Sequence, residues 1–213
     1  MEPQFWLERW RRGEIGFHLP RPHPKLVRHW HRVAGQPGAP VLVPLCGKSL
    51  DMGWLAAEGH DICGVELSGE ALQTFASEAG LSVAKQADGF AGAGWQLYCG
   101  DWFNFTAEQP FSLFYDRSAL IALPAPMRER YVAHLLEQLT ADARGLLITL
   151  EYDQVAMEGP PFSVQASEVR QHFAGRARVT ELERADILQH EPRFKERGLS
   201  RLEEVVWLVE CHG

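Results

Sequence analysis

From position 41 onward, short apolar runs alternate with segments of helical period, and this alternation constrains the fold more than any other feature of the chain. Runs rich in β-branched or aromatic residues stand at 41–45, 61–66, 96–99, 111–115, 146–151, 178–183 and 205–210. Between them, helical spacing marks 51–58, 69–79, 126–139 and 166–173. A βαβα order lays strands side by side and parallel, with the connecting helices on the sheet faces. The clearest helix is 126–139, where Met127, Tyr131, His134/Leu135 and Leu139 share one face and Pro126 suits a first turn. The last two runs are joined by 189–200, too short and polar for a crossover helix, so they are expected to pair antiparallel at one edge. The expected fold is α/β and Rossmann-like: a seven-stranded, mainly parallel sheet with one antiparallel edge strand and helices on both faces. Residues 1–40 precede it as an extension, with an aromatic helix (Phe5, Trp6, Trp10), a polar turn, and a second helix carrying Leu26, Trp30 and Val33. At 213 residues, 1–213 is expected to form one domain, with 41–213 as its core.

Bulk properties exclude several functions. With 46% hydrophobic and 23% charged residues, the chain has no apolar run of the roughly 18 residues that a membrane helix needs. The N-terminus mixes charged and aromatic residues and has no apolar signal-peptide segment, so a soluble, unsecreted protein is expected. A net charge of −7 disfavours nucleic acid as a partner, because sequence-independent binding needs a basic face. Cys46, Cys63, Cys99 and Cys211 form no CxxC pair and read as reduced, buried thiols of a cytosolic protein. His29-x-His31 is the nearest approach to a metal motif, yet residues two apart on a helix point about 200° from each other, and no metal site is expected.

The stretch VLVPLCGKSLDM (41–52) ends its apolar run in Gly47-Lys48-Ser49, the ending of a phosphate loop. Such a loop needs a glycine five residues before Gly47, so that successive amides wrap the phosphates, and that position is Leu42. A phosphate loop is therefore excluded. In open α/β sheets, however, ligands bind beyond the carboxyl ends of the strands, and an acid at the end of the second strand accepts from ribose hydroxyls. Glu66 in GVELS stands there; its alternative role is to cap the helix starting near Gly69. A dinucleotide would call for GxGxxG in the first loop, whereas only Gly47 is present, so a nucleoside without phosphate fits better. S-adenosylmethionine (SAM) is the common cofactor of that description. Asp101-Trp102, after the strand at 96–99, offer an acid for the adenine amino group and a ring to stack on it, although Trp102 equally suits a core position.

Taken together, PLCGKSLDM, GVELS, YCGDWF, YDRSAL, GPPF and FWLERWRRGEIGFH resemble the bacterial branch of the thiopurine S-methyltransferase family. The resemblance runs from about Phe5 to the C-terminus and implies a SAM-dependent, cytoplasmic, monomeric enzyme with an N-terminal helical lid. By motif matching it implies SAM contacts at Trp10, Leu45, Glu66 and Arg117, with Asp101 and Trp102 on the adenine side. It also implies substrate contact by Phe17, with Trp6 beside it as a further candidate and Arg193 as a looser match. Small aromatic or heterocyclic thiols are the implied acceptors, and tellurium and selenium oxyanions are associated with bacterial members.

The residues add their own chemistry. Trp6, Trp10 and Phe17 form an aromatic segment attractive to a sulfonium cation, unless they are simply core. Arg117 offers a fixed charge for a carboxylate or an incoming anion, or else pairs with Asp116; His18 is a candidate base for a less acidic acceptor. The Asn-Pro-Pro-Tyr of amino methylation is replaced by Tyr-Asp-Arg-Ser, and no Pro-Cys nucleophile occurs, so nucleic-acid methylation is disfavoured. Halide or thiocyanate methylation, and SAM binding without turnover, remain open alternatives.

Overall fold

The computed structural model describes residues 3–34 and 37–212. The chain divides into two compact units, Met1–Tyr115 and Asp116–Gly213.

In the first unit, α1 (Pro3–Arg11) and α2 (Pro24–His29) precede the strands. His23 caps α2: its Nδ1 accepts from the Lys25 N–H at 3.3 Å, and Pro24 supplies the fixed φ of a first turn. The helix expected to continue through Val33 stops at His29 and tightens into a 3₁₀ turn, Trp30–Arg32. Strands β1 (Val41–Pro44), β2 (Ile62–Glu66), β3 (Val83–Gln86), β4 (Gly89–Gly92), β5 (Trp95–Cys99) and β6 (Phe111–Arg117) follow. They lie in the order β3-β4-β5-β2-β1-β6. β2 is parallel to β1 and β5, β1 is parallel to β6, and β3-β4-β5 is an antiparallel meander. Every residue of β1 and β2 is buried, as expected for parallel strands covered on both faces.

Helices α3 (Leu50–Ala57) and α4 (Gly69–Glu78) connect these strands. Each begins on a serine whose hydroxyl takes a first-turn amide: Ser49 from Asp51, and Ser68 from Ala71. α4 buries Ala71, Leu72, Phe75 and Ala76, and ends where Gly80 turns left-handed at φ +62° while the Leu81 N–H reaches back to the Ala76 carbonyl.

The second unit holds α5 (Ala125–Glu137), β7 (Leu139–Glu151), α6 (Ala166–Phe173), β8 (Ala177–Asp186), α7 (Pro192–Glu196) and β9 (Glu203–Cys211). β9 runs antiparallel to β7 on one side and to β8 on the other, so the predicted antiparallel pairing of the last two strands is present. Arg184 on β8 ties the three strands together, with its guanidinium bonded to Glu151, Glu181 and Glu203 at 2.9–3.1 Å. In α5 the guanidinium of Arg128, 2% exposed, grips Glu168 of α6 at 2.8 and 2.9 Å and the Leu123 carbonyl at 2.8 Å.

The described residues form nine strands in place of the seven that the pattern predicts. The two added are β3 and β4, and their antiparallel pairing with β5 puts antiparallel strands at more than one place. The other seven fall on the predicted runs, most of them longer than the apolar stretch alone; β7 starts at Leu139, where its first residues are polar or half-buried.

Candidate cofactor site

The loop leaving β1 is held in an unusual backbone shape. Leu45 has φ +48° and Gly47 φ +54°; the first is uncommon for a residue with a Cβ, and the second suits glycine. This shape aims the Gly47 N–H at Oε2 of Glu66, at 2.9 Å. The other oxygen, Oε1, accepts from the Ser68 N–H at 2.8 Å, and the Glu66 carbonyl takes the Gly100 N–H at 2.9 Å. Three loops, those after β1, β2 and β5, therefore meet at one acid. Since Ser68 supplies the cap of α4 with its own hydroxyl, the helix-capping alternative for Glu66 falls to its neighbour.

Glu66 is 7% exposed. Burial raises its carboxyl above the usual range, and the amides of Ser68, Gly47 and Leu67 pull it partway back. The Gly47 and Ser68 amides fix one carboxylate oxygen each, and the carboxylate keeps lone-pair capacity for an incoming hydroxyl. The result is a fixed, two-pronged acceptor at the carboxyl end of β2, the geometry that suits a vicinal diol such as ribose.

The aromatic segment packs on this loop. The Trp10 and Phe17 rings meet edge to face at 5.5 Å, and Trp6 meets Phe17 in the same manner at 6.0 Å. A Cβ on Gly47 would stand 3.0 Å from Cζ2 of Trp10 and 4.0 Å from Cε2 of Phe17. None of the residues of α1 is fully buried, so these rings are not the interior of a core. His18 is partly exposed beside Phe17 and donates its backbone N–H to the Ile15 carbonyl at 2.8 Å.

After β5, Asp101 caps a short 3₁₀ turn by accepting from the Phe103 N–H at 3.0 Å. Trp102 is 4% exposed and stacks on Phe105 at 5.9 Å. Lys48 pairs with Glu78 of α4 at 2.7 and 3.0 Å, and Ser49 is the cap of α3. The two residues that suggested a phosphate loop are thereby accounted for.

Two predicted residues belong to the second unit. Arg117 ends β6 and donates from Nη1 to the Ser118 hydroxyl at 3.2 Å, next to the left-handed Ser118 at φ +75°. The Asp116 carboxylate accepts from the Tyr131 hydroxyl at 2.8 Å and from the Ala119 and Leu120 amides at 3.2 and 3.3 Å, fixing the turn that follows Arg117. Arg193 is exposed in α7, bonds Glu191 at 3.1 Å, and lies over the Phe194 ring at 4.7 Å. His29 is buried and His31 exposed, so the pair does not converge.

Sequence reasoning missed Ser68 and Gly100, whose amides hold Glu66, because backbone donors leave no mark on side-chain identity. The available signal was Gly100 directly after a strand: a Cβ there would stand 2.6 Å from the Tyr98 ring.

A parallel α/β unit whose second strand ends in a buried acid, held by the loop after its first strand, defines a Rossmann-like enzyme that binds a nucleoside cofactor. Solved structures share this fold. The 1,6-didemethyltoxoflavin-N1-methyltransferase of Burkholderia thailandensis, determined with 1,6-didemethyltoxoflavin and S-adenosylhomocysteine bound, aligns over 99% of this chain and 87% of its own at 17% identity and a TM-score of 0.68. The [4+2]-cyclase SpnF aligns over 88% of this chain and 84% of its own at 13% identity and a TM-score of 0.64, so the fold alone does not fix the reaction. The sequence decides it: residues 1–212 match the model of the thiopurine S-methyltransferase family, and the chain belongs to that family. A thiopurine S-methyltransferase of Bordetella petrii is 46% identical across the full length of both chains. The protein is thus a methyltransferase with SAM as its cofactor, as the resemblance implied.

Proposed function

We propose that the protein methylates small aromatic or heterocyclic thiols at sulfur. The observation that carries the cofactor half of this reading is Glu66, buried and held on both oxygens by the Gly47 and Ser68 amides at a strand end. In this reading Glu66 takes the two ribose hydroxyls, and the Leu45 backbone borders the nucleoside. Asp101 and Trp102 lie on the adenine side, with Trp10 over the charged end. Trp6 and Phe17 face the acceptor. For Arg117 as a SAM contact and Arg193 as an acceptor contact, the support is the family motif alone.

When bound, SAM would supply an electrophilic methyl group: the acceptor thiolate would bond to the methyl carbon in line as the methyl–sulfonium bond breaks, with the electron pair of the broken bond staying on the cofactor sulfur. The chain's own contribution is orientation, worth roughly 7–11 kcal/mol for a well-aligned pair, and exclusion of water by the aromatic segment. An aromatic thiol is already largely ionised near neutral pH, so the reading assigns no catalytic base, and His18 is left to a less acidic acceptor. The family match through both units supports 1–213 as one methyltransferase domain. The same resemblance supports a monomeric, cytoplasmic enzyme that removes toxic nucleophiles, metalloid oxyanions among them.

Transfer of labelled methyl from SAM to a thiopurine, an aliphatic thiol, iodide, selenite and tellurite tests the reading. The thiopurine should turn over with the highest kcat/KM. Faster transfer to iodide, or SAM binding with no transfer to either thiol, would overturn it.

A further inference from the structure

Gly47 stands in two relations at once. Its N–H holds Oε2 of Glu66, and its missing side chain makes room for Trp10, since a Cβ would lie 3.0 Å from Cζ2 and 3.3 Å from Cη2 of the indole. Carbon atoms prefer separations of about 3.5–4.0 Å, so any side chain at this position must push the ring away. Trp10 is half-buried, and α1 has no fully buried residue to hold it in place.

We infer that Gly47 is a positioning residue that couples the N-terminal aromatic segment to the cofactor-binding acid: seating Trp10 on Gly47 and holding Glu66 ready are one event. The inference rests on the reading of Glu66 as the ribose acceptor. Any ligand that engages Glu66 favours the seated segment, and by reciprocity a seated segment raises affinity for that ligand. The carrier is a direct contact chain, Trp10 to Gly47 to Glu66.

A double-mutant cycle tests the coupling. Gly47→Ala should weaken SAM binding, measured by calorimetry, about tenfold in the Trp10 background. In a Trp10→Phe background, where the smaller ring withdraws Cζ2 and Cη2, the same change should cost less than twofold. Equal factors in both backgrounds would overturn the inference. Gly80→Ala reports backbone strain alone, because Gly80 has a similar φ of +62° and a Cβ there would meet nothing within 4 Å; it should lower Tm and leave SAM affinity unchanged. If Gly47→Ala does not fold, hydrogen exchange keeps the test: Trp10→Ala should speed exchange of the Gly47 amide about tenfold, and unchanged exchange would overturn the inference. Proteolysis of 5–20 without ligand separates this from the proposed function. Faster cutting in Gly47→Ala but not in Gly47→Ala/Trp10→Phe relative to Trp10→Phe upholds the contact even if the wild type binds no SAM, and equal cutting refutes it.

Discussion

Replacing Glu66 by Gln removes one negative charge and turns one of two acceptor oxygens into a donor. In the free protein, both oxygens face backbone amides, Gly47 at 2.9 Å and Ser68 at 2.8 Å. The amide group can satisfy only one of them, so one buried N–H is orphaned, at about 1–3 kcal/mol of stability, less whatever is regained by no longer burying a charge. For the cofactor, one charge-assisted bond to a ribose hydroxyl is lost. Such bonds contribute about 1.5–3 kcal/mol, which corresponds to roughly a 10- to 150-fold rise in the Kd for SAM. Because the ribose is remote from the methyl group, KM should rise with Kd while kcat changes little. A pH signature follows. Burial raises the Glu66 carboxyl above its ordinary value, and ribose hydroxyls favour the ionised form, so wild-type SAM affinity should fall as pH drops through that raised value. Glu66→Gln should lack this acidic limb. Calorimetric titration across pH, with circular dichroism to confirm the fold, gives both readouts. A Kd within twofold of wild type in a folded variant would refute the assignment of Glu66.

Three further outcomes follow from the structure. Lys48→Ala should leave SAM affinity within twofold and cost at most about 1 kcal/mol in urea unfolding, since Lys48 engages Glu78 in a partly exposed pair; a large loss of affinity would revive a ligand role for this lysine. Asp116 is pushed up to about 6 from 3.8 by burial, so the folded state holds an extra proton between those values and stability should fall as pH rises through that window, by at most about 3 kcal/mol. Asp116→Asn should flatten that slope in urea titrations at pH 4 to 7, and an unchanged slope would show another group responsible. Glu168→Gln leaves the Arg128 guanidinium buried without its counter-charge and should destabilise the protein by about 3–5 kcal/mol, read as a lowered Tm.

The strands visible in the sequence were those whose side chains announce them. β1 and β2 are buried along their length and read as continuous apolar runs, and the acid at the end of β2 stood out against that background. β3 and β4 carry no such mark. Gly89 and Gly92 offer no side chain to a periodicity, yet each is required by close backbone approach: a Cβ on Gly89 would run into the Leu97 carbonyl oxygen, and one on Gly92 into that of Ser82. Strand pairing there is set by what is absent from the side chains, which periodicity cannot register.

The same distinction resolves the Gly-Lys-Ser sequence. A phosphate loop leaves its amides and its lysine free for an external anion. Here the Gly47 amide is already bonded to an internal anion, the Glu66 carboxylate, and Lys48 to another, Glu78. The loop keeps the anion-facing backbone of its look-alike but satisfies it within the protein, on the carboxylate of Glu66. The missing glycine at Leu42 was enough to exclude phosphate from the sequence. That the loop holds Glu66, and that Gly47 stands close to Trp10, depends on approaches between residues far apart in the chain, which only the folded structure brings together.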